Sequence, residues 1–152
     1  MKKASLIIIY GTTSGNTEMV VDKIAEMAKK AGHHVVAKRV ESAKPEEMLE
    51  YDIAILASPT YGHGELQEDF IPFWRGMGEV DLKGKKCAVV GLGDPKYELH
   101  YHLESAPILE EAIQKSGGQI LLPALKISGT PVRHLEGLIP NWTEKFINLI
   151  KS

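Results

Sequence analysis

Leu6-Ile7-Ile8-Ile9-Tyr10-Gly11-Thr12-Thr13-Ser14-Gly15-Asn16-Thr17-Glu18 is the stretch on which the fold turns. Its four aliphatic residues run without a polar alternate, the pattern of a strand covered on both faces. Lys3–Tyr10 therefore reads as a strand. From Thr17 the period changes: Met19, Val20, Ile24, Met27 and Ala28 share one helical stripe that runs to Ala31, where Gly32 stops it. Between the two lies Gly11–Thr17, with two glycines and four hydroxyl side chains. A buried strand, a polar glycine loop and an amphipathic helix make the first half of a βαβ unit.

The same alternation continues along the chain. His34–Val40 reads as a second strand, Lys44–Glu50 as a short acidic turn or helix, and Asp52–Ala57 as a third, buried strand. A glycine-containing loop, Ser58–Glu65, leads into a helix over Gln67–Arg75. Lys86–Gly91 is the fourth strand, and Leu103–Ser116 is a helix ended by Gly117-Gly118. Ile120–Ile127 is the fifth strand, with Pro123 marking it as an edge. The last helix spans Leu138–Ile150, with Pro140 near its start, where a missing N–H costs little. Strands alternating with helices predict an α/β fold: a doubly wound, five-stranded parallel sheet with helices on both faces.

The 152 residues fit one domain, 1–152, large enough to bury a core without disulfide or metal staples. A hydrophobic fraction of 43% and a charged fraction of 25% exclude a disordered tail, a collagen-like chain and a disulfide scaffold. Eighteen basic against 20 acidic residues leave a net charge of −2, no footprint for nucleic acid or an anionic membrane. The single cysteine, Cys87, has no partner in the chain and fits a reducing, cytoplasmic setting. Met1-Lys2-Lys3 precedes an apolar run too short for a signal peptide, and no stretch approaches the ~20 apolar residues of a membrane span.

Ligands of such sheets sit at the carboxyl ends of the strands, where strand order reverses. The loop after the first strand offers the hydroxyls of Thr12, Thr13, Ser14 and Thr17, the Asn16 amide and a helix N-terminus, a cradle for phosphate. It holds no Lys or Arg, so it is not a P-loop, and it lacks Gly-x-Gly-x-x-Gly. The competing reading is an ordinary helix N-cap. One cap accounts for one hydroxyl, not for four with two glycines. After the third and fourth strands, Tyr61 and Tyr97 are placed to sandwich a flat ring.

Thr12-Thr13-Ser14-Gly15-Asn16-Thr17-Glu18, Ser58-Pro59-Thr60-Tyr61-Gly62-His63-Gly64-Glu65-Leu66-Gln67-Glu68-Asp69-Phe70, and Gly91-Leu92-Gly93-Asp94 with Tyr97-Glu98 together resemble the flavodoxins, over essentially the whole chain. The resemblance implies the strand order 2-1-3-4-5 for which flavodoxin-like folds are known. With no long insertion before Gly129, it points to the short-chain branch. It implies non-covalent FMN, shuttling between semiquinone and hydroquinone in a low-potential one-electron carrier that is not an enzyme. Thr12, Ser14, Asn16 and Thr17 would hold the phosphate, in a binding loop that includes Thr13 and Gly15. Tyr61 would stack on the inner face of the flavin and Tyr97 on the outer. Ser58, Pro59, Thr60, His63 and Gly64 would complete the second loop, with Gly62 as the glycine whose peptide flips on one-electron reduction. Gly93, Asp94, Tyr101 and His102 would surround the pyrimidine edge, with Leu92 and His100 beside them. The partners implied are redox proteins, a reductase donor and low-potential acceptor enzymes, served by a monomer.

Two other functions are weighed. An FMN-dependent NAD(P)H quinone or nitro reductase of the same fold would need segments for nicotinamide binding and oligomerisation, for which the chain leaves little room. A phosphoacceptor receiver domain needs an acidic cluster after the first strand and an Asp ending the third; Tyr10-Gly11 and Ala57-Ser58 stand there instead.

The chain departs from the family near the flavin edge. His63 stands where an acidic residue is usual, Pro95 and Lys96 where small polar residues are, and His100 and His102 add titratable groups. Weaker repulsion of the reduced, anionic flavin predicts a second potential less negative than in acidic relatives and pH-dependent between about 5 and 8. A redox titration across that range checks it; a potential as low as theirs, without extra pH response, refutes it. Metal binding by His63, His100 and His102 lacks further ligands. His33, His34 and His134 are expected in solvated turns, and Cys87 as a small buried filler. Lys29, Lys30, Lys83, Lys85 and Lys86 precede strands, whereas Glu65, Glu68, Asp69, Asp94, Glu98 and Glu104 fall near the flavin edge, a charge asymmetry that would steer basic partners.

Overall fold

A computed structural model describes residues 3–12, 15–61, 65–93 and 105–150. Strands β1 (Ser5–Tyr10), β2 (His34–Arg39), β3 (Ile53–Tyr61) and β5 (Lys86–Gly93) lie in the order β2-β1-β3-β5, all parallel. Beyond β5, the fifth place in the sheet is filled by two short strands in succession, β6 (Gln119–Ile120) and β7 (Leu125–Ser128), both parallel to it. The order is therefore 2-1-3-4-5, as expected. A two-residue strand, β4 (Glu65–Leu66), turns back antiparallel on the end of β3.

Alternation along the strands sorts the core into two halves. Leu6, Ile8 and Tyr10 of β1, with Ile55 and Val90, meet helix α1 (Asn16–Lys30) and helix α4 (Leu138–Ile150) on one face. Ile7 and Ile9, with Leu56 and Val89, meet Phe73 of α2 (Ile71–Gly76) and Leu109 and Ile113 of α3 (Ser105–Lys115) on the other. Leu6, Ile7, Ile8 and Ile9 are all fully buried. Each contributes about 1.5–3 kcal/mol of transfer free energy, which is why the run carries no polar alternate.

The departures from expectation have local causes. The predicted fifth strand, 120–127, is interrupted. Leu121 N–H still bonds to Cys87 C=O (2.9 Å), but Pro123 has no N–H to offer and pairing resumes only at Leu125. Trp142, stacked on Phe146 (5.6 Å, 4°), donates its indole N–H to Pro123 C=O (2.9 Å) and covers the break. The third strand does not stop at Ala57; it runs through Pro59 to Tyr61, replacing the first part of the predicted loop. Ala57 C=O accepts Gly11 N–H (3.0 Å), so Ala57 faces β1. Pro59, two residues on, faces the same side beyond the end of β1, where no N–H is needed. The fourth strand likewise reaches Gly93. The predicted helix over 67–75 is a 3-10 turn, Glu68–Phe70, leading into α2, whose first turn holds Pro72. The acidic segment after β2 is a 3-10 helix, Pro45–Glu50.

His33 is not in a solvated turn. It is buried at the end of α1, where its Nδ1 accepts the N–H of Ala4 (3.0 Å) and ties the α1–β2 connection to the start of β1. His34 is exposed at the start of β2, and His134 is half-buried in a 3-10 turn, Pro131–His134. Cys87 is fully buried. Desolvation, partly offset by Lys85, pushes its thiol up to about 12, so it is inert filler. No described helix is long and apolar enough to cross a membrane.

Candidate functional site

Parallel registry brings three strand ends together: Tyr10 lies opposite Ala57, Ala57 opposite Val90, and Pro59 opposite Leu92. β2 lies on one side of β1 and β3 on the other, so the chain reverses direction of winding here, and the crevice beside β1 is where a ligand binds in such sheets.

The described residues of the loop after β1 are held by two hydrogen bonds. Gly11 N–H bonds to Ala57 C=O, and the buried Thr12 hydroxyl accepts Gly15 N–H (2.9 Å). Gly15 stands at the N-cap position with φ 88°, a left-handed conformation that glycine adopts at little cost. Among the described residues no side chain caps α1. The helical ladder starts with Met19 N–H to Gly15 C=O (3.1 Å), so the N–H groups of Asn16, Thr17 and Glu18 precede it without an intrahelical acceptor. An uncapped helix N-terminus with its dipole and free donors suits an anion, and Thr17, fully buried, fixes the first turn. Thr13 and Ser14 lie outside the described residues.

One ion-pair cluster lies beside the start of α1. Arg39, at the end of β2, pairs with Glu18 (3.5 Å) in the first turn of α1 and with Glu41 (3.8 Å). Desolvation, with the nearby Glu18 carboxylate, raises the Tyr10 phenol above its ordinary value, against the pull of Arg39.

The second loop is built on a hydrogen-bond knot. Ser105, fully buried at the start of α3, donates its hydroxyl to Ser58 C=O (3.1 Å) and accepts the Thr60 hydroxyl (2.8 Å), while its N–H donates to Thr60 Oγ1 (3.1 Å). The end of β3 is thus fastened to α3. A Cβ on Gly91 would lie 2.9 Å from Ala106 Cβ and 3.1 Å from Ser105 Oγ, so only glycine lets α3 approach this closely. Of the predicted second-loop residues, Ser58 is fully buried with its hydroxyl bonded to Pro59 C=O (2.9 Å), Pro59 and Thr60 are half-buried, and Tyr61 pairs across to Glu65. Leu92 is buried, and Gly93 C=O accepts Gly129 N–H (3.1 Å). Gly62, His63 and Gly64 lie outside the described residues, as do Asp94, Pro95, Lys96, Tyr97, His100, Tyr101 and His102. The structure therefore brings together Thr12, Gly15, Asn16, Thr17, Ser58, Pro59, Thr60, Leu92 and Gly93 at one end of the sheet. Sequence reading missed Ser105, which comes from a distant segment; its place at the start of the α3 helix was the one available signal.

A family model described as flavodoxin matches residues 8–142. A Bacillus subtilis protein named probable flavodoxin 2 is 34% identical over 146 residues, covering 94% of each chain. A flavodoxin of Maridesulfovibrio salexigens is 36% identical over 130 residues, covering 84% of this chain and 88% of its own. Among solved structures, oxidised flavodoxin 2 from Bacillus cereus superposes with a TM-score of 0.89 at 36% identity, covering 95% of this chain and 99% of that one. A Fusobacterium nucleatum flavodoxin bound to flavin mononucleotide shares the fold, with a TM-score of 0.78 at 21% identity over 97% of both chains.

Proposed function

The chain belongs to the flavodoxin family, and from that premise we propose that it carries single electrons on FMN held at the carboxyl ends of β1, β3 and β5. FMN, when bound, supplies two successive one-electron steps; the protein binds it, orients it and keeps water from it. The observation that carries this reading is the N-terminus of α1, without a side-chain cap among the described residues and with Gly15 in the left-handed region, set beside the crevice between β1 and β3. Its free N–H groups and the hydroxyls of Thr12, Thr13, Ser14 and Thr17, with Asn16, would take the phosphate. Tyr61 and Tyr97 would flank the ring. Ser105 and Thr60 would hold the wall of the site in place through their hydrogen bonds.

Flavodoxins are electron-transfer proteins, and nothing here favours a reductase. Mixing the purified protein with NAD(P)H alone separates the two: a carrier leaves it unoxidised until a reductase is added, whereas steady oxidation without one refutes the proposal.

The finer reading of partners is that they are basic redox proteins met by a monomer in the cytoplasm. Exposed Glu68 and Asp69 lie at the cofactor end of the sheet, with Glu41 paired there to Arg39, while exposed Lys3, Lys83 and Lys86 outnumber Asp52 and Asp81 at the opposite end. Such an asymmetry raises encounter rate more than affinity. The rate of reduction by a basic reductase is expected to fall steeply with salt; a flat response removes the steering argument.

A further inference from the structure

Gly11 opens the phosphate loop, yet nothing about its backbone demands glycine: its φ is not in the left-handed region where Gly15 and Gly129 sit. Space does. A Cβ at position 11 would run into Oε1 of Gln67 and would lie 3.0 Å from Gln67 Cδ and 3.2 Å from Phe70 Cδ2. Gln67 follows β4 and leads into the 3-10 turn Glu68–Phe70, yet only 2% of its surface is exposed. A buried carboxamide is costly to place unless it is used. Its Nε2 donates to Asp69 Oδ2 (3.3 Å), which fixes the rotamer, and its backbone C=O accepts Phe70 N–H (2.9 Å). The end of this side chain fills the place a Cβ of residue 11 would take.

We propose that Gln67 is a positioning residue for the cofactor: its carboxamide, packed on the Gly11 backbone and braced by Asp69, sets the base of the loop 11–17 and joins the phosphate side of the site to the β3–β4 hairpin on its ring side. The proposal rests on the FMN reading above for the identity of the ligand, and on packing alone for the contact. Gly11 N–H is bonded to Ala57 C=O, so Gln67 and β3 hold the base of the loop between them. A shift of that base displaces Thr12 and the uncapped start of α1 together, because Thr12 Oγ1 holds Gly15 N–H.

This shared space makes a swap possible. Gly11→Ala forces the two groups into one space, Gln67→Ala empties that space, and the pair Gly11→Ala/Gln67→Ala puts a methyl group where the carboxamide was. The test measures affinities of the four apoproteins for FMN and for riboflavin, which lacks the phosphate, and their melting temperatures without flavin. Expected are an FMN affinity about tenfold weaker in each single variant, near 1.4 kcal/mol, riboflavin affinity changed by less than about twofold, and a double variant that regains most of the loss rather than summing the two. Gln67→Met, which keeps the length and volume of the side chain but not its bond to Asp69, should retain more FMN affinity than Gln67→Ala. Additive losses in the double variant, or equal losses for FMN and riboflavin, overturn the proposal. If Gly11→Ala fails to fold, rescue of folding by adding Gln67→Ala supports the contact, and no rescue refutes it. A wild-type chain that binds neither flavin refutes the FMN reading instead, and the melting-temperature cycle then still reads the packing: non-additive shifts uphold the contact, additive ones overturn it.

Discussion

Removing the Ser105 hydroxyl should loosen the second loop at a cost that can be worked from the structure. Ser105→Ala deletes one donor and one acceptor: the bond to Ser58 C=O at 3.1 Å and the bond from the Thr60 hydroxyl at 2.8 Å. Ser105 is fully buried and Ser58 is as well, so water cannot replace them without entering the packed junction of β3, β5 and α3. An unsatisfied buried group costs ~1–3 kcal/mol. The Ser105 N–H to Thr60 Oγ1 bond survives the substitution, which keeps the loss toward the lower half of that range. For a chain of this size each kcal/mol moves the melting point by roughly 2–4 °C. Thr60→Val, nearly the same shape, removes the other half of the knot and should cost a similar amount. Urea denaturation of the apoprotein reads both, and the double variant should lose less than the sum, with a coupling of ~0.5–3 kcal/mol. The knot fastens β3 to α3 just below the second and third loops, so FMN affinity should fall with it. A Ser105→Ala chain as stable as wild type, or strictly additive losses, would refute the claim that these bonds hold the wall of the site.

Other outcomes follow from the same structure. Gly15→Ala should cost about 1–2 kcal/mol in urea denaturation from backbone conformation alone, since nothing lies within 4 Å of the added methyl and φ is 88°; Gly15→Asn should cost less, and a neutral Gly15→Ala contradicts this. His33→Ala leaves Ala4 N–H without its acceptor and should lose ~1–3 kcal/mol, read as a fall in urea midpoint. The Glu47 carboxyl is held below its ordinary value, chiefly by its hydrogen bond from Lys38 and next by the Lys44 N–H. A depressed carboxyl stabilises above its unfolded pKa and loses that contribution as pH falls through its folded value. Glu47→Gln should therefore be less stable by ~0.2–1 kcal/mol at pH 7, with the gap closing in acid; a gap that persists in acid counts against it.

The run Leu6–Ile9, the loop Gly11–Thr17 and the stripe of α1 were legible because each is a local pattern whose meaning does not depend on the rest of the chain. From them and the alternation that follows, the doubly wound sheet could be read; its strand order came only with the resemblance to the flavodoxins. What was hidden is what distant segments do to one another. Pro59 looked like the start of a loop because its place beyond the end of β1, where a missing N–H is harmless, exists only in the folded sheet. Pro123 marked an edge correctly, but the break it makes in the fifth strand depends on Trp142 from α4. His33 follows α1 as a turn residue would, and only the approach of Ala4 buries it. Ser105 lay in no motif, and Gln67 lay in the second one without a role; they matter because residues 60 and 11 are folded against them.

The central claim is that the end of the sheet where β1, β3 and β5 meet holds FMN for one-electron transfer. Its most direct test is to titrate the apoprotein with FMN and then reduce the complex stepwise while monitoring the visible spectrum and potential. The account predicts one FMN per chain and two separate one-electron potentials. A chain that rejects FMN, or takes up both electrons in a single step at one potential, would contradict it.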